Sequence, residues 1–278
     1  MVSEWATVSR RDSALALFRS LSIVPLFLYA GTSPVLGQIQ DNSFMIEEAY
    51  NQESGVVQHI SNLASRFDGD AWFYSFTQEW PVGGIKNQFS YTIPVLNDPS
   101  GTGLGDVLLN YRYQLLGNAE GRVALAPRVS LVLPTGSDEQ GQGGGALGFQ
   151  TNMPLSIVVG RQLVTHWNVG GQIIPSAKGV DGGEATTTSF NLGASAIWLL
   201  HPSLNLLLEG VWLSTESVSG GGTERDDAML LNPGIRGALN FGDLQIVPGI
   251  AYTINAISDS NDDDAFFLYL SFEHPFKH

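Results

Sequence analysis

The chain has no cysteine and few charged residues, and basic residues are especially scarce. Charged side chains make up 14% of its 278 residues, and 13 Lys and Arg stand against 27 Asp and Glu, for a formal net charge of -14. Without cysteine there is no disulfide framework and no thiolate ligand for a zinc or redox site, which suits an oxidising compartment. Without clustered Lys and Arg, nucleic acid is a poor partner.

Long hydrophobic runs are missing as well. After Gly37 no uncharged apolar stretch reaches about 18 residues, which excludes a protein that crosses a membrane with helices. Glycine, by contrast, is abundant at 32 residues, and the mean hydropathy is +0.05. A mean near zero is compatible with a transmembrane β-barrel, because its strands alternate lipid-facing and interior-facing side chains.

The C-terminal stretch Ala265–Phe276 shows this alternation clearly. One face carries bulky apolar residues and the other a mixed set: Phe266, Leu268, Leu270, Phe272 and Phe276 against Phe267, Tyr269, Ser271 and Glu273. A side-chain period of two with one apolar face is typical of a transmembrane strand, and the aromatic near the C-terminus is typical of the last strand of a bacterial outer-membrane barrel.

The N-terminus predicts an export signal. Three arginines precede the apolar run Leu21–Ala30, and a small-residue site ends at Gly37. We therefore expect residues 1–37 to be a cleaved signal peptide, 38–54 a periplasmic N-terminal segment and 55–278 the barrel. Within the segment, Phe44–Glu53 is compatible either with a short periplasmic helix or with a plug.

Alternating stretches of this kind recur along the mature chain and predict about twelve strands, an even number as single-chain bacterial barrels require. The predicted strands are 55–63, 71–82, 87–96, 104–116, 122–133, 147–159, 162–174, 187–200, 204–214, 228–240, 244–257 and 265–276. Prolines within several of them, such as Pro127 and Pro154, predict bulges or bends, because proline cannot donate to the ladder. An opening in the wall near these prolines is a further hypothesis.

Short and long connections alternate between the predicted strands. The short ones lie at 83–84, 117–118, 160–161, 201–202 and 242–243, and the long polar ones at 97–103, 134–146, 175–186, 215–227 and 258–264. Short periplasmic turns and long extracellular loops produce this order in outer-membrane barrels, whereas a soluble β-sandwich or propeller gives no reason for it. The prediction is a closed antiparallel transmembrane barrel that is all-β.

The interior-facing positions contain a few charged residues. The candidates for lining the lumen are Glu79, Asp106, Arg112, Arg128, Glu209, Arg236 and Glu273. They fit a structural network of ion pairs, and the three arginines also fit a constriction that selects anionic or polarised solutes. No residue set predicts a catalytic, cofactor or metal site. His166 is expected to face the lumen with Asn168, with no nucleophile at defined spacing, and His59, His201, His274 and His278 show no metal-ligand spacing.

Three segments resemble a known family. These are the run GLGDVLLNYRYQLLG at 103–117, the run RVSLVLPTG at 128–136 and the aromatic C-terminal strand, with Gly105-Asp106 and the sequence 133–136 as the recognisable parts. They are similar to outer-membrane barrels grouped as the MetA-pathway phenol-degradation (transporter) family. The resemblance implies a porin-like barrel linked to the uptake of aromatic compounds, and it assigns no residue to solute binding.

The resulting expectation is an outer-membrane channel or transporter of a Gram-negative bacterium for passive uptake of small solutes, hydrophobic or aromatic ones included. The alternative is a non-transporting surface barrel, structural or adhesive, or a barrel enzyme that acts on lipids. Expected partners are outer-membrane lipid, lipopolysaccharide, the barrel-assembly machinery and the solute. Acidic loops fit either a hydrated rim or divalent cations that bridge the rim to lipopolysaccharide phosphates.

Overall fold

The structure, a computed structural model, describes residues 42–67, 69–119, 121–257 and 264–276. The predicted signal peptide 1–37 lies outside the described residues. Sixteen strands form one sheet: β1 Val56–Arg66, β2 Trp72–Pro81, β3 Asn87–Asp98, β4 Gly101–Leu104, β5 Val107–Tyr113, β6 Val123–Leu125, β7 Arg128–Leu133, β8 Gly148–Asn152, β9 Leu155–Val158, β10 Leu163–Lys178, β11 Glu184–His201, β12 Leu204–Ser219, β13 Gly222–Gly237, β14 Leu239–Phe241, β15 Leu244–Asn255 and β16 Ala265–Pro275. Among the described residues, no helix is long and apolar enough to cross a membrane.

The sheet closes into an antiparallel barrel of twelve crossings. Four crossings consist of two collinear strands each, namely β4 with β5, β6 with β7, β8 with β9, and β13 with β14. Closure is complete because β1 pairs with β16 over its whole length, from Val56 opposite Pro275 to Arg66 opposite Ala265, and β10 pairs with β11. The prediction of a closed twelve-strand antiparallel barrel is confirmed.

The two faces of the wall have opposite chemistry. In β5 the inward residues Leu108, Asn110 and Arg112 are buried, whereas Tyr111 and Tyr113 on the outer face are exposed. The exposed large apolar side chains of the other crossings lie on the same outer face, among them Val129, Leu131, Leu192, Trp198, Leu206, Leu208, Ile235, Ile250, Leu268 and Leu270. Such an extended apolar exterior is stable in hydrocarbon and would aggregate in water.

Pro127 and Pro154 interrupt the strand ladders, as expected for residues without an N–H. The pairing register nevertheless continues unchanged, since Leu125 lies opposite Leu155 before the interruption and Arg128 opposite Asn152 after it. The Ala126 N–H also donates to the Pro154 carbonyl at 3.1 Å. The wall is therefore hydrogen-bonded across the two prolines, and the hypothesis of an opening at this place is not supported.

Three of the predicted long loops are instead largely extended strands, and in one of them, 97–103, β3 and β4 pair up to Asp98 opposite Gly101. β12 and β13 pair without a break up to Ser219 opposite Gly222, and β10 and β11 reach Lys178 and Glu184. The turn between β12 and β13 consists of Gly220 and Gly221, both with positive φ (59° and 80°), the conformation of a tight two-residue hairpin. The sequence predicted loops here because these stretches are polar. Where a strand extends beyond the apolar band of the membrane, its outer face meets water, and its side chains no longer alternate between apolar and polar.

An arginine in the apolar band should weaken the fold strongly. Leu208 on β12 is 56% exposed on the outer face. Leu208→Arg should lower the free energy of unfolding in lipid by about 2–4 kcal/mol, because the charge is taken into hydrocarbon. Val180 in the loop 179–183 is 67% exposed, and Val180→Arg should leave the stability unchanged. Urea unfolding in lipid vesicles measures both, and equal stabilities would contradict a lipid-facing outer surface.

Candidate functional site

Residues 42–54 run through the barrel interior without regular secondary structure. Up to Gln52 most of their side chains are buried, with Ser43 and Ala49 at 0%, Ile46 at 2% and Phe44 at 3% exposure, whereas Glu53 and Ser54 are exposed. They contact wall residues from the middle of the barrel to the end at which the chain enters β1 and leaves β16, here called the turn end; the opposite end is the loop end. Of the two conformations left open for Phe44–Glu53, the structure shows the plug.

A carboxylate of the wall holds the first part of the plug by its backbone. Oε1 of Glu209 accepts hydrogen bonds from the N–H groups of Phe44 (2.9 Å), Met45 (3.0 Å) and Ile46 (3.2 Å). Oε2 of Glu209 accepts from Asn232 Nδ2 at 2.7 Å, and Asn232 in turn accepts from Thr253 Oγ1 at 2.8 Å. Three successive N–H groups that converge on one oxygen form an anion-binding concavity.

The next residue, Glu47, is held through both its backbone and its side chain. Its carboxylate forms a two-pronged ion pair with Arg128, whose Nη2 lies 2.7 Å from Oε1 and whose Nε lies 3.0 Å from Oε2. Its N–H donates to Asn168 Oδ1 at 2.9 Å, and its carbonyl accepts from Asn168 Nδ2 at 2.8 Å. Asn168 therefore pairs with the Glu47 backbone as a neighbouring strand would.

Wall side chains continue this pattern towards the turn end. The Ala49 N–H donates to Ser156 Oγ at 2.8 Å, and Gln114 both donates to the Ala49 carbonyl (2.8 Å) and accepts from the Asn51 N–H (3.0 Å). Arg112 donates to the carbonyls of Glu48 and Tyr50. Because the wall satisfies the polar groups of the backbone, an irregular segment can remain buried without a large loss of hydrogen bonds.

Glycines of the wall make room for the side chains of the plug. A Cβ atom added to Gly249 would lie 2.3 Å from Phe44 Cε1, and one added to Gly234 would lie 2.3 Å from Phe44 Cε2. The Phe44 ring also packs against Phe267 and Tyr269, each at 5.7 Å between centroids. The pocket for the ring therefore exists only because Gly234 on β13 and Gly249 on the adjacent β15 have no side chain.

The structure places the seven lumen candidates on the inner side of the wall and divides them by position. Glu209, Arg128, Arg112 and Arg236 contact the plug directly, Arg236 through the carbonyl of Asn42. Glu79 lies behind Arg112, with Nη2 of the arginine 3.7 Å from its Oε2, and Glu273 is 3.5 Å from Gln52 Nε2. Only Asp106 lies away from the plug, at the loop end. The three arginines therefore bind the protein's own segment in this conformation.

Sequence analysis missed the neutral residues that recognise the plug backbone. Asn168 and Ser156 lie at inward positions of β10 and β9, Gln114 directly follows β5, and Gln88 accepts from the Gln52 N–H at 2.7 Å. The signal in the sequence that these residues bind a segment was that amides and hydroxyls, rather than charges, occupy most inward positions. Their partners could not be found from the sequence pattern, because the segment they bind shows no regular alternation of residues.

Ser156 and His166 form a buried pair in the interior. Ser156 Oγ lies 2.7 Å from His166 Nδ1, and their side chains are 0% and 2% exposed. As expected, His166 faces the lumen with Asn168. Since the same hydroxyl accepts the Ala49 N–H, the pair serves to hold the plug and is covered by it.

At the loop end, Asp106 fixes the loop 134–147. Its Oδ1 accepts from the Gly136 N–H (3.0 Å) and its Oδ2 from the Gly144 N–H (2.7 Å). Thr135 Oγ1 donates to the Gly105 carbonyl at 2.9 Å and accepts from the Val107 N–H at the same distance. The two recognisable parts of the family resemblance, 105–106 and 133–136, therefore contact each other and hold this loop.

Two adjacent cavities lie between the loop end and the plug. The outer one, of about 320 Å³, is bounded by the loop 134–147 and the extended ends of β10 to β12. The inner one, of about 100 Å³, has Phe44–Glu47 of the plug in its lining. Both include Leu108, Gln150, Gln172 and Ser189 in their lining. Most of the polar residues that line the inner cavity are amides and hydroxyls, with Phe44 and Tyr269 as aromatic neighbours.

Comparison with solved structures shows the same fold in outer-membrane proteins. An outer-membrane channel from Pseudomonas putida F1 superposes with a TM-score of 0.62 at 11% identity, over 82% of this chain and 98% of that chain. The NanC porin superposes with a TM-score of 0.50 at 8% identity, over 79% of this chain and 100% of that chain. No family model and no curated protein matches the sequence. At these identities the similarity establishes the fold: a closed β-barrel that resembles Gram-negative outer-membrane channels and porins.

Proposed function

We propose that the protein is an outer-membrane channel through which small solutes pass passively, closed in the described conformation by residues 42–54. The observation that carries the proposal is the barrel interior: two adjacent cavities lead inwards from the loop end and stop at a segment of the chain itself. An interior that only stabilised the wall would need no such cavities. The fold shared with a channel and a porin supports this function.

The apolar exterior supports the location of the barrel in the outer membrane of a Gram-negative bacterium, in contact with lipid and lipopolysaccharide. Assembly there requires the barrel-assembly machinery and removal of residues 1–37, both of which remain predictions. With this orientation the turn end faces the periplasm and the loop end faces the outside. A solute would enter the outer cavity first and leave past the plug.

We also propose that aromatic or other hydrophobic solutes are among those transported. The resemblance to the MetA-pathway phenol-degradation family supports this, and so does Tyr269 in the lining of the inner cavity. The amides and hydroxyls beside it can hydrogen-bond a phenolic hydroxyl. The pocket that holds Phe44 shows that the interior accepts an aromatic ring when the plug supplies one.

Solute flux into liposomes tests the proposal. Vesicles that contain the purified protein should admit small phenolic solutes faster than protein-free vesicles, and a variant with a released plug should admit both phenols and sugars of similar size. Protein-free vesicles correct for direct permeation through lipid. No flux with either form of the protein would contradict a channel. Phospholipid hydrolysis by the purified barrel would favour the enzyme alternative, for which the Ser156–His166 pair is the specific observation.

A further inference from the structure

We propose that His59 and His274 form a binding site for a divalent transition-metal ion on the outside of the barrel, across the seam between the first and the last strand. The Nε2 atoms of the two rings lie 3.3 Å apart, although the residues are separated by 215 positions in the chain. Zn–N bonds of about 2.0–2.1 Å in tetrahedral geometry place two ligand nitrogens about 3.3 Å apart. The observed separation therefore equals that of two imidazoles on one metal ion.

The seam geometry brings the two rings together. His59 on β1 lies opposite Phe272 on β16, and His274 lies opposite Val57, so that the histidines are diagonal neighbours on the outer face. Their ring planes differ by 17°, with 5.4 Å between centroids. His59 additionally stacks on Phe272 at 4.5 Å, which limits its rotation. The two nitrogens thus already lie at the spacing of metal ligands, and rotation of the rings about their side-chain torsions would direct both at one ion.

A second contact prepares His274 as a ligand. Its Nδ1 lies 3.1 Å from the carbonyl oxygen of Pro275, to which a protonated Nδ1 donates. That bond favours the tautomer with an unprotonated Nε2, the nitrogen that faces His59. Histidines that bind metal commonly donate their other N–H to a carbonyl or carboxylate in this manner. In the metal-free protein His59 Nε2–H donates to His274 Nε2; the ion would take the place of that proton, and His59 would carry its proton on Nδ1.

The chemistry of the pair selects the class of metal. Two neutral imidazoles suit Zn²⁺, Ni²⁺ and Cu²⁺, whereas Mg²⁺ and Ca²⁺ prefer oxygen ligands. Within the described ranges no third His, Cys, Asp or Glu completes a cluster, so that water fills the remaining coordination positions. His59 lies three residues from the start of β1 and His274 one from the end of β16, about 10 Å or less from the turn end, where water reaches the wall.

Metal titration of the folded barrel tests the site. The protein is purified without a histidine tag, stripped with EDTA and titrated in detergent with Zn²⁺ and Ni²⁺ by calorimetry. We expect one ion per chain. His59→Phe and His274→Phe, which retain an aromatic ring, should each weaken binding on the order of tenfold or more, and the double variant no further, because one imidazole alone is a poor site.

His201→Ala is the matched control, since His201 is exposed at the end of β11 and its Nδ1 contacts the nearby Ser203. It should bind the ion as the unmodified protein does. Because the ion links the first strand to the last, Zn²⁺ should also raise the unfolding temperature of the protein and of His201→Ala, and not that of the two Phe variants. Unchanged binding in both Phe variants, or its loss in His201→Ala, would overturn the assignment.

Discussion

Gly249→Ala should release the plug and raise the single-channel conductance several-fold. The new methyl group would lie 2.3 Å from Phe44 Cε1 and 2.9 Å from Phe44 Cζ, distances that no packed side chain tolerates. The ring cannot move aside, because Phe267, Tyr269 and the equally close Gly234 bound its pocket. Relief comes only when Phe44 leaves, and with it the N-terminal part of the plug.

Phe44→Ala should have the same outcome by a different route. Truncating a buried phenylalanine costs about 3–5 kcal/mol, and here the loss falls on the closed conformation alone, since the ring is solvated once the plug is out. Combining the two substitutions should add little to the effect of Phe44→Ala, because the methyl group at position 249 then has no ring to displace.

Conductance in planar bilayers measures both variants. The control is Gly210→Ala on β12, where an added Cβ meets only Leu231 Cδ2 at 3.7 Å and Met229 Cε at 3.8 Å, and its conductance should equal that of the unmodified protein. Circular dichroism verifies that each barrel is folded. Conductance that stays at the unmodified level in Gly249→Ala and Phe44→Ala would show that the plug does not limit passage.

Glu209→Ala should loosen the plug as strongly as the loss of Phe44. The substitution removes the acceptor of three buried N–H groups, those of Phe44, Met45 and Ile46. Each unsatisfied buried donor costs about 1–3 kcal/mol, so that the closed conformation loses several kcal/mol in total. Ser195→Ala is the matched control on the neighbouring strand, because it removes a single bond, from Ser43 Oγ at 2.7 Å.

Thiol labelling reports the release directly, because the chain contains no cysteine of its own. Ala49 is 0% exposed in the plug, and Ala49→Cys adds a single buried thiol. A maleimide too polar to enter lipid should label this thiol slowly in the otherwise unmodified protein and in Ser195→Ala. In Glu209→Ala labelling should be at least about tenfold faster, because destabilising the closed conformation by about 1.4 kcal/mol or more raises the fraction of released plug about tenfold or more. Equal labelling rates in all three would mean that Glu209 does not hold the segment.

The alternation of side chains was sufficient to predict the wall. A period of two that places Leu268 and Leu270 outwards and Phe267 and Tyr269 inwards is a local property, since it follows from the geometry of a single strand. Where both faces of a strand meet water the local signal vanishes, and the extensions of β12 and β13 up to Gly220-Gly221 were therefore predicted as a loop. The same sequence-local reasoning placed the seven charged candidates on the inner side.

Contacts between residues far apart in the chain could not be read in this way. The plug shows no regular alternation of apolar and polar residues. Its partners, among them Ser156 and Glu209, come together around it only when the wall closes into a barrel. The two histidines at the seam show no metal-ligand spacing, because they become neighbours only when β16 pairs with β1.

The sequence by itself determined that this chain forms a barrel with an apolar exterior, an interior of mixed charge and short connections at one end, because strand periodicity and turn residues act over a few positions. The tertiary structure decided what the interior contains, which groups hold it closed and which side chains meet across the seam. These properties depend on ring closure, which brings together residues more than 100 positions apart.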